Sequence, residues 1–212
     1  MKFKLTATLS AAFAILNITP KEKNHTYVTL PDLRITDGVI TESHGRLQIT
    51  GPQVRAVLNN PTPQNALLTF IYNGPSAEQI PLADGSSRQQ FGLKLRSQDE
   101  GCNLLYVMWW ILPYPNIAVA LKSNPGKTST SACGASGYIS IPPTKSAKVA
   151  GWNIGETHSL ETFLKGADLS VLADGKSVWE GVLPPAAVAL VGSVGVRSDN
   201  VAVSFNLSVG DN

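Results

Sequence analysis

From about residue 27 onward the chain alternates apolar and polar positions with a period of two, and Gly, Pro, Asn and Asp interrupt the pattern at short intervals. Helical spacing is not sustained over any long segment, so the pattern predicts an all-β protein. In Arg88 to Arg96 the odd positions are Gln89, Phe91, Leu93 and Leu95, and the even ones are Arg88, Gln90, Gly92, Lys94 and Arg96. One face of that strand is apolar and the other polar. Leu104 to Ile111 differs, with Leu105, Val107, Trp109 and Ile111 on one side and Leu104, Tyr106, Met108 and Trp110 on the other, so both faces are apolar. A third run groups Ile117, Val119 and Leu121 against Ala118, Ala120 and Lys122, and a last one groups Val201, Val203, Phe205 and Leu207 against Ala202, Ser204 and Asn206.

Turn chemistry agrees with strands. Asp37-Gly38, Asp84-Gly85 and Asp174-Gly175 each lie between alternating segments, where tight hairpins require residues that tolerate positive φ. Leu169 to Ala173 and Lys176 to Gly181 form the clearest predicted hairpin. Residues 59–64 and 141–145 each carry two prolines that cannot donate to a ladder, so they read as connections. Roughly ten or more short strands at this spacing suggest two stacked sheets or a barrel. No composition shift divides them, and residues 19–212 are expected to form a single β-sandwich domain.

The amino terminus departs from this pattern. Lys2 and Lys4 precede an uncharged stretch from Leu5 to Ile18, and Ala12-Phe13-Ala14 is a small-x-small sequence, so residues 1–18 read as a signal peptide; an amino-terminal strand or buried helix is the alternative. The chain has 212 residues, enough to bury a sizeable core without a dense disulfide framework. Cys102 and Cys133 are its two cysteines. They suit one bridge in an oxidising compartment or two buried thiols in a reducing one; each adjoins a turn-forming Gly, which favours the bridge. A secreted or periplasmic protein is expected.

Charge narrows the partners. With 17 Lys and Arg against 15 Asp and Glu, the formal net charge is +2, and no basic stripe is present to neutralise phosphates, so nucleic acid is a poor partner. No apolar stretch reaches the roughly 18 residues that span a bilayer. The three histidines, His25, His44 and His158, form no close-spaced ligand motif, and no metal or cofactor is expected. Asp174, Asp199 and Asn200 are turn oxygens of the type calcium uses, yet their turns need no metal.

A family resemblance enters through the last quarter of the chain. Gly-x-x-His-x-Leu at 155–160, Lys165-Gly166, Leu169-x-Val171, Asp174-Gly175-x-x-Val178-Trp179-x-Gly181 and Gly195-x-Arg197-x-Asp199-Asn200 follow in order. This segment resembles the carboxy-terminal half of concanavalin-A-like lectin and glucanase sandwiches, including laminin-G-like modules. The tract with Phe91-Gly92-Leu93, Cys102-Asn103, Tyr106 to Trp110 and Cys133-Gly134-x-x-Gly137-Tyr138 also looks like bacterial hypothetical secreted proteins to which no activity attaches. The resemblance implies an antiparallel two-sheet jelly-roll sandwich, with glycan, when bound, lying across a sheet or held by loops at its rim.

If Phe91, Leu93 and Leu95 face inward with Leu105, Val107, Trp109 and Ile111, the opposite surface carries Arg88, Gln90, Lys94, Tyr106, Met108, Trp110 and Lys122. Sugars present both C–H faces and hydroxyls. Tyr106 and Trp110 are therefore candidate stacking plates, and Arg88, Gln90, Lys94 and Lys122 candidate polar contacts, Arg88 and Lys94 also suiting uronic carboxylates. The competing interpretation is that a loop or the amino-terminal segment covers these side chains. No pair of carboxylates with glycosidase spacing is evident, and the Glu-x-Asp-x-x-Glu strand of the sandwich glucanases is absent. The Arg-rich, Gln-x-His and Tyr-x-Lys strands of sandwich polysaccharide lyases are absent as such, although Arg88, Lys94, Tyr106 and Lys122 could imitate their chemistry. The sequence thus points to a non-catalytic glycan binder, with a polysaccharide lyase or hydrolase, or a structural protein with a protein partner, as alternatives.

Overall fold

The computed structural model describes residues 25–210, and the expected signal peptide lies outside them. Sixteen strands are present in this span. They are β1 (His25–Tyr27), β2 (Leu33–Asp37), β3 (Thr41–Ser43), β4 (Arg46–Ile49), β5 (Gln53–Leu58), β6 (Asn65–Pro75), β7 (Gln89–Ser97) and β8 (Leu104–Leu112). The second half contains β9 (Asn116–Lys122), β10 (Tyr138–Ser140), β11 (Lys145–Ser146), β12 (Thr157–Lys165), β13 (Asp168–Ala173), β14 (Lys176–Val182), β15 (Ser193–Asp199) and β16 (Val201–Gly210). Two single-turn helices, α1 (Thr130–Cys133) and α2 (Pro185–Val188), sit in connections.

All pairings are antiparallel. One sheet runs β11-β14-β13-β12-β6-β16-β4-β3, with β1 also paired to β16; the other has seven strands in the order β10-β9-β8-β7-β15-β5-β2. Period-two alternation explains how they stack, because each strand sends one set of side chains between the sheets. Phe91, Leu93, Leu95, Leu105, Val107 and Trp109 from the seven-stranded sheet meet Leu68, Phe70, Val203, Phe205 and Leu207 from the other, all essentially inaccessible to solvent. Aromatic edges interlock at the centre. The Phe70 ring stands edge-on to Phe91 at 5.3 Å and to Trp152 at 4.8 Å, and Trp109 meets Trp152 at 5.6 Å, all geometries the ring quadrupole favours. His158, in β12, packs on Trp109 and turns its Nδ1 to Asp174 at 3.0 Å.

The expected turns separate into two kinds. Asp174-Gly175 closes the β13–β14 hairpin with both residues at positive φ. Asp37-Gly38 and Asp84-Gly85 close no hairpin, because the strands flanking each belong to different sheets. Their glycines do adopt positive φ. At Gly38 a Cβ would stand 2.1 Å from the Gln53 carbonyl oxygen, so glycine serves the passage of the chain from one sheet to the other.

Cys102 and Cys133 are joined in a disulfide that ties the β7–β8 loop to α1. Around the bridge, Asp99 accepts hydrogen bonds from the backbone N–H groups of Gly101 and Asn103, at 2.9 and 3.2 Å. Asn103 Nδ2 donates to the Lys127 carbonyl at 2.9 Å, and Asn124 N donates to Asn103 Oδ1 at 2.8 Å. Two loops over the seven-stranded sheet are thereby held as one unit.

Two outcomes test this architecture. Phe70→Ala should lower the free energy of unfolding by about 3 to 5 kcal/mol in urea titrations, as for a large side chain removed from a closed core. Reducing the disulfide removes the cross-link between residues 31 apart and should cost roughly 2 to 4 kcal/mol, read as a lower thermal midpoint in dithiothreitol.

Candidate functional site

The outer face of the seven-stranded sheet is built by register. Lys94 of β7 stands opposite Tyr106 of β8 and Gly195 of β15; Gln90 stands opposite Trp110 and Asp199; Gly92 stands opposite Met108 and Arg197. Arg197 is in turn opposite Arg55 of β5, and Lys122 of β9 is opposite Tyr138 of β10. Residues directly opposite share a face. Much of the polar chemistry of this sheet therefore collects on one surface, across six neighbouring strands. Gly92 lets β8 pack closely there, since a Cβ would meet the Val107 oxygen at 2.2 Å and Met108 Sδ at 3.1 Å.

A cleft of about 930 Å³ reaches over this face, and its lining extends to Val178 and Trp179 of the other sheet. Arg55, Arg88, Tyr106, Trp110, Lys122, Tyr138 and Arg197 reach it from the sheet and its approaches; Glu100, Gly101, Thr130 and Gly134 wall it on the disulfide side, and Leu82 to Asp84 and Pro142 to Val149 close other parts of its rim. The loop before β7 is anchored by Asn200, whose amide donates to the carbonyls of Ile80 and Arg88 and accepts from Ile80 N at 2.8 Å.

Of the six side chains expected to meet a ligand, four line the cleft and two lie beneath it. Arg88 ion-pairs with Asp84 and lays its guanidinium over the Trp110 ring at 4.5 Å. Trp110 is half-buried, with Tyr114 beside it at 6.4 Å. Tyr106 is only 4% exposed, its ring stacked on Tyr138 at 5.8 Å and crossed by the Arg197 guanidinium at 4.8 Å. Lys122 donates to the Gly134 carbonyl at 2.8 Å and stands 5.1 Å above the Tyr138 ring. Gln90 and Lys94 are covered. Gln90 Nε2 donates to Asp199 at 2.6 Å, while Lys94 Nζ is buried without a hydrogen-bond partner.

The alternation placed these six on one face, but burial by loops could not be read from it. Tyr138 offers the more open aromatic surface, 43% exposed, and Tyr114 is 59% exposed. Arg55, Tyr138 and Arg197 were not among the expected contacts. The Arg197-x-Asp199 spacing was visible, but Asp199 was expected in a turn; it instead ends β15, which inserts between β7 and β5.

Asp199 organises the floor. It is fully buried and accepts from Arg55, from Arg197 Nε at 2.7 Å and from Gln90. Burial alone would raise its pKa, but Arg197 and then Arg55 outweigh burial and hold the carboxyl below its usual range. Arg55 is further fixed through the carbonyls of Val54 and Ser198, at 2.9 and 2.7 Å. Arg197 Nη1 donates to the Tyr138 hydroxyl at 3.0 Å. Burial raises the Tyr138 pKa, yet Arg197 and Lys122 reverse the sign and leave the phenol below its ordinary value. Tyr106, by contrast, is pushed up to about 12, chiefly by burial. Lys94 is pushed down to about 7, first by burial and then by Arg55 and Arg197.

The arrangement can stack a ring, donate several hydrogen bonds and attract negative charge. Among the described residues, no group of three or more His, Cys, Asp or Glu side chains converges as a metal site would require.

Lys94 also has a consequence for stability. Because its folded pKa lies below the unfolded value of about 10.5, the unfolded state binds more protons between about pH 7 and 10, and stability should rise with pH across that window. Urea midpoints measured from pH 7 to 9.5 should climb, and the climb should shrink in Lys94→Met.

No protein-family model matches the chain, and no curated protein sequence does. Solved structures with the same architecture do match. The carbohydrate binding module CBM66 from Bacillus subtilis superposes with a TM-score of 0.57 at 13% identity, over 88% of this chain and 96% of that one. A second structure, reported with endo-acting O-glycanases that prominent members of the human gut microbiota express to initiate mucin breakdown, gives 0.52 at 6% identity, over 90% and 97% of the two chains. The protein has an antiparallel two-sheet β-sandwich, the fold it shares with that carbohydrate binding module.

Proposed function

We propose that this protein is an exported carbohydrate-binding β-sandwich whose ligand lies in the cleft over the seven-stranded sheet. The observation that carries the reading is the cleft's composition: aromatic rings at graded depth, with Arg and Lys donors between them. Sugar rings offer apolar C–H faces to such plates and hydroxyls to such donors. Trp110, Tyr114 and Tyr138 would stack, and Lys122, Arg197 and Arg88 would hydrogen-bond. Tyr106 would contribute its edge, and Gln90 and Lys94 would support the floor without touching ligand. The likeness to a carbohydrate binding module supports the same reading. A disulfide supports an oxidising compartment, and no helix among the described residues is long and apolar enough to cross a membrane.

A second reading, cleavage of an acidic polysaccharide by β-elimination, is favoured by Tyr138. Its hydroxyl is hydrogen-bonded to Arg197, and Arg197 and Lys122 lower its pKa against the effect of burial, which suits a base that takes the proton beside a uronic carboxyl group. Tyr106 lacks that arrangement, because Arg197 crosses its ring.

Trp110→Ala should weaken glycan binding roughly tenfold or more in calorimetric titration while the thermal midpoint stays near that of the parent, a loss on the scale of one stacking platform. Loss of the fold would reassign Trp110 to packing. Absorbance of unsaturated product on incubation with acidic polysaccharide would move the assignment to the lyase.

A further inference from the structure

The charges beneath the cleft do not balance. Arg55, Arg197, Lys122 and Lys94 share one face, and Asp199 is the carboxylate that hydrogen-bonds to both arginines. Of the acids near this face, Asp37 lines the cleft in register with Arg55, and three others are engaged elsewhere. Asp84 pairs with Arg88, Glu100 lies 3.7 Å from Arg34, and Asp99 accepts from the backbone of its own loop. Lys94 sits at the centre of this surplus, fully buried and without a hydrogen-bond partner. Like charges gathered in a poorly solvated place repel, and an anion arriving from outside would relieve them.

Lys122 and Arg197 line the cleft but are only 2% and 7% exposed, so their donors reach it from the floor. Lys122 Nζ has three N–H groups, and its hydrogen bond to the Gly134 carbonyl occupies one. The Tyr138 hydroxyl accepts from Arg197 Nη1, so its own proton can point at a ligand. Both side chains and Arg197 line the cleft.

We propose that the cleft selects glycans bearing a carboxylate or sulfate, with the charged group seated on Arg197, Lys122 and Tyr138. This specificity rests on the carbohydrate reading. It also makes binding depend on pH through Lys94. An added anion favours the protonated amine, so the complex takes up a proton, and affinity falls as pH rises through 7. The other groups around Lys94 leave this direction intact. Arg34, Arg55 and Asp99 are further charges acting on Lys94; Arg197 remains charged, Asp199 remains ionised, Tyr106 titrates near 12, and Lys122, lowered by its own burial, acts in the same sense.

The test is a glycan array holding uronate-bearing, sulfated and neutral oligosaccharides, followed by titration of the tightest-binding member and of its carboxyl-reduced or desulfated form. The hits should be acidic, and neutralising the acid should weaken binding at least tenfold, as should Lys122→Gln. Affinity for the acidic form should drop about tenfold between pH 6 and pH 9, equivalent to one pKa unit at Lys94, and Lys94→Met should flatten that dependence. Neutral hits, or equal affinity for the neutralised form, would overturn the charge preference and leave carbohydrate binding standing. A flat pH profile in the parent would overturn the Lys94 coupling alone. Absence of binding to any member would overturn the carbohydrate reading, and this inference with it.

Discussion

A single buried carboxylate governs the outer face of the seven-stranded sheet. Asp199 pairs with two arginines from neighbouring strands and engages Gln90 from a third, so β5, β15 and β7 are linked on that face by side chains as well as by their ladders. Removing one partner from such a buried arrangement leaves an uncompensated charge, a change that typically costs about 3 to 5 kcal/mol. The cleft inherits its order from this constraint. Arg197 can span the Tyr106 ring and hold the Tyr138 hydroxyl because Asp199 fixes its guanidinium.

The loops complete what the sheet begins. Side chains on the outer face of an isolated sheet would be solvated, and Lys94 would be an ordinary cation. The disulfide-tied loops and the segment pinned by Asn200 turn part of that surface into an interior and leave the remainder as a cleft. Desolvation and like charges then act on the same amine, while the tyrosines diverge: Tyr106, deeper, moves up, and Tyr138, beside two cations, moves down. One face thus holds a chemically inert aromatic floor and a polarised phenol at its edge.

Asp199 is spent on Arg55 and Arg197, while Asp37, Asp84 and Glu100 line the cleft itself. What the cleft offers in quantity is planar contact and positive charge.

The inward set of β7, β8, β9 and β16, and the opposite facing of Trp109 and Trp110, were legible from alternation, because an extended backbone must turn successive side chains to opposite sides. The β13–β14 hairpin was legible from Asp174-Gly175 for an equally local reason. Tertiary structure alone decided which strands became neighbours, and so brought Arg55 to Asp199 across 144 residues, whereas Arg197, two residues away on the same strand, meets it by local alternation. It alone decided that Asp37-Gly38 and Asp84-Gly85 would carry the chain between sheets, and that loops would bury Gln90 and Lys94 while leaving Trp110 and Tyr138 at the cleft. Local spacing determines the side of a strand on which a residue stands; the cover above it depends on long-range packing, which no short window of sequence contains.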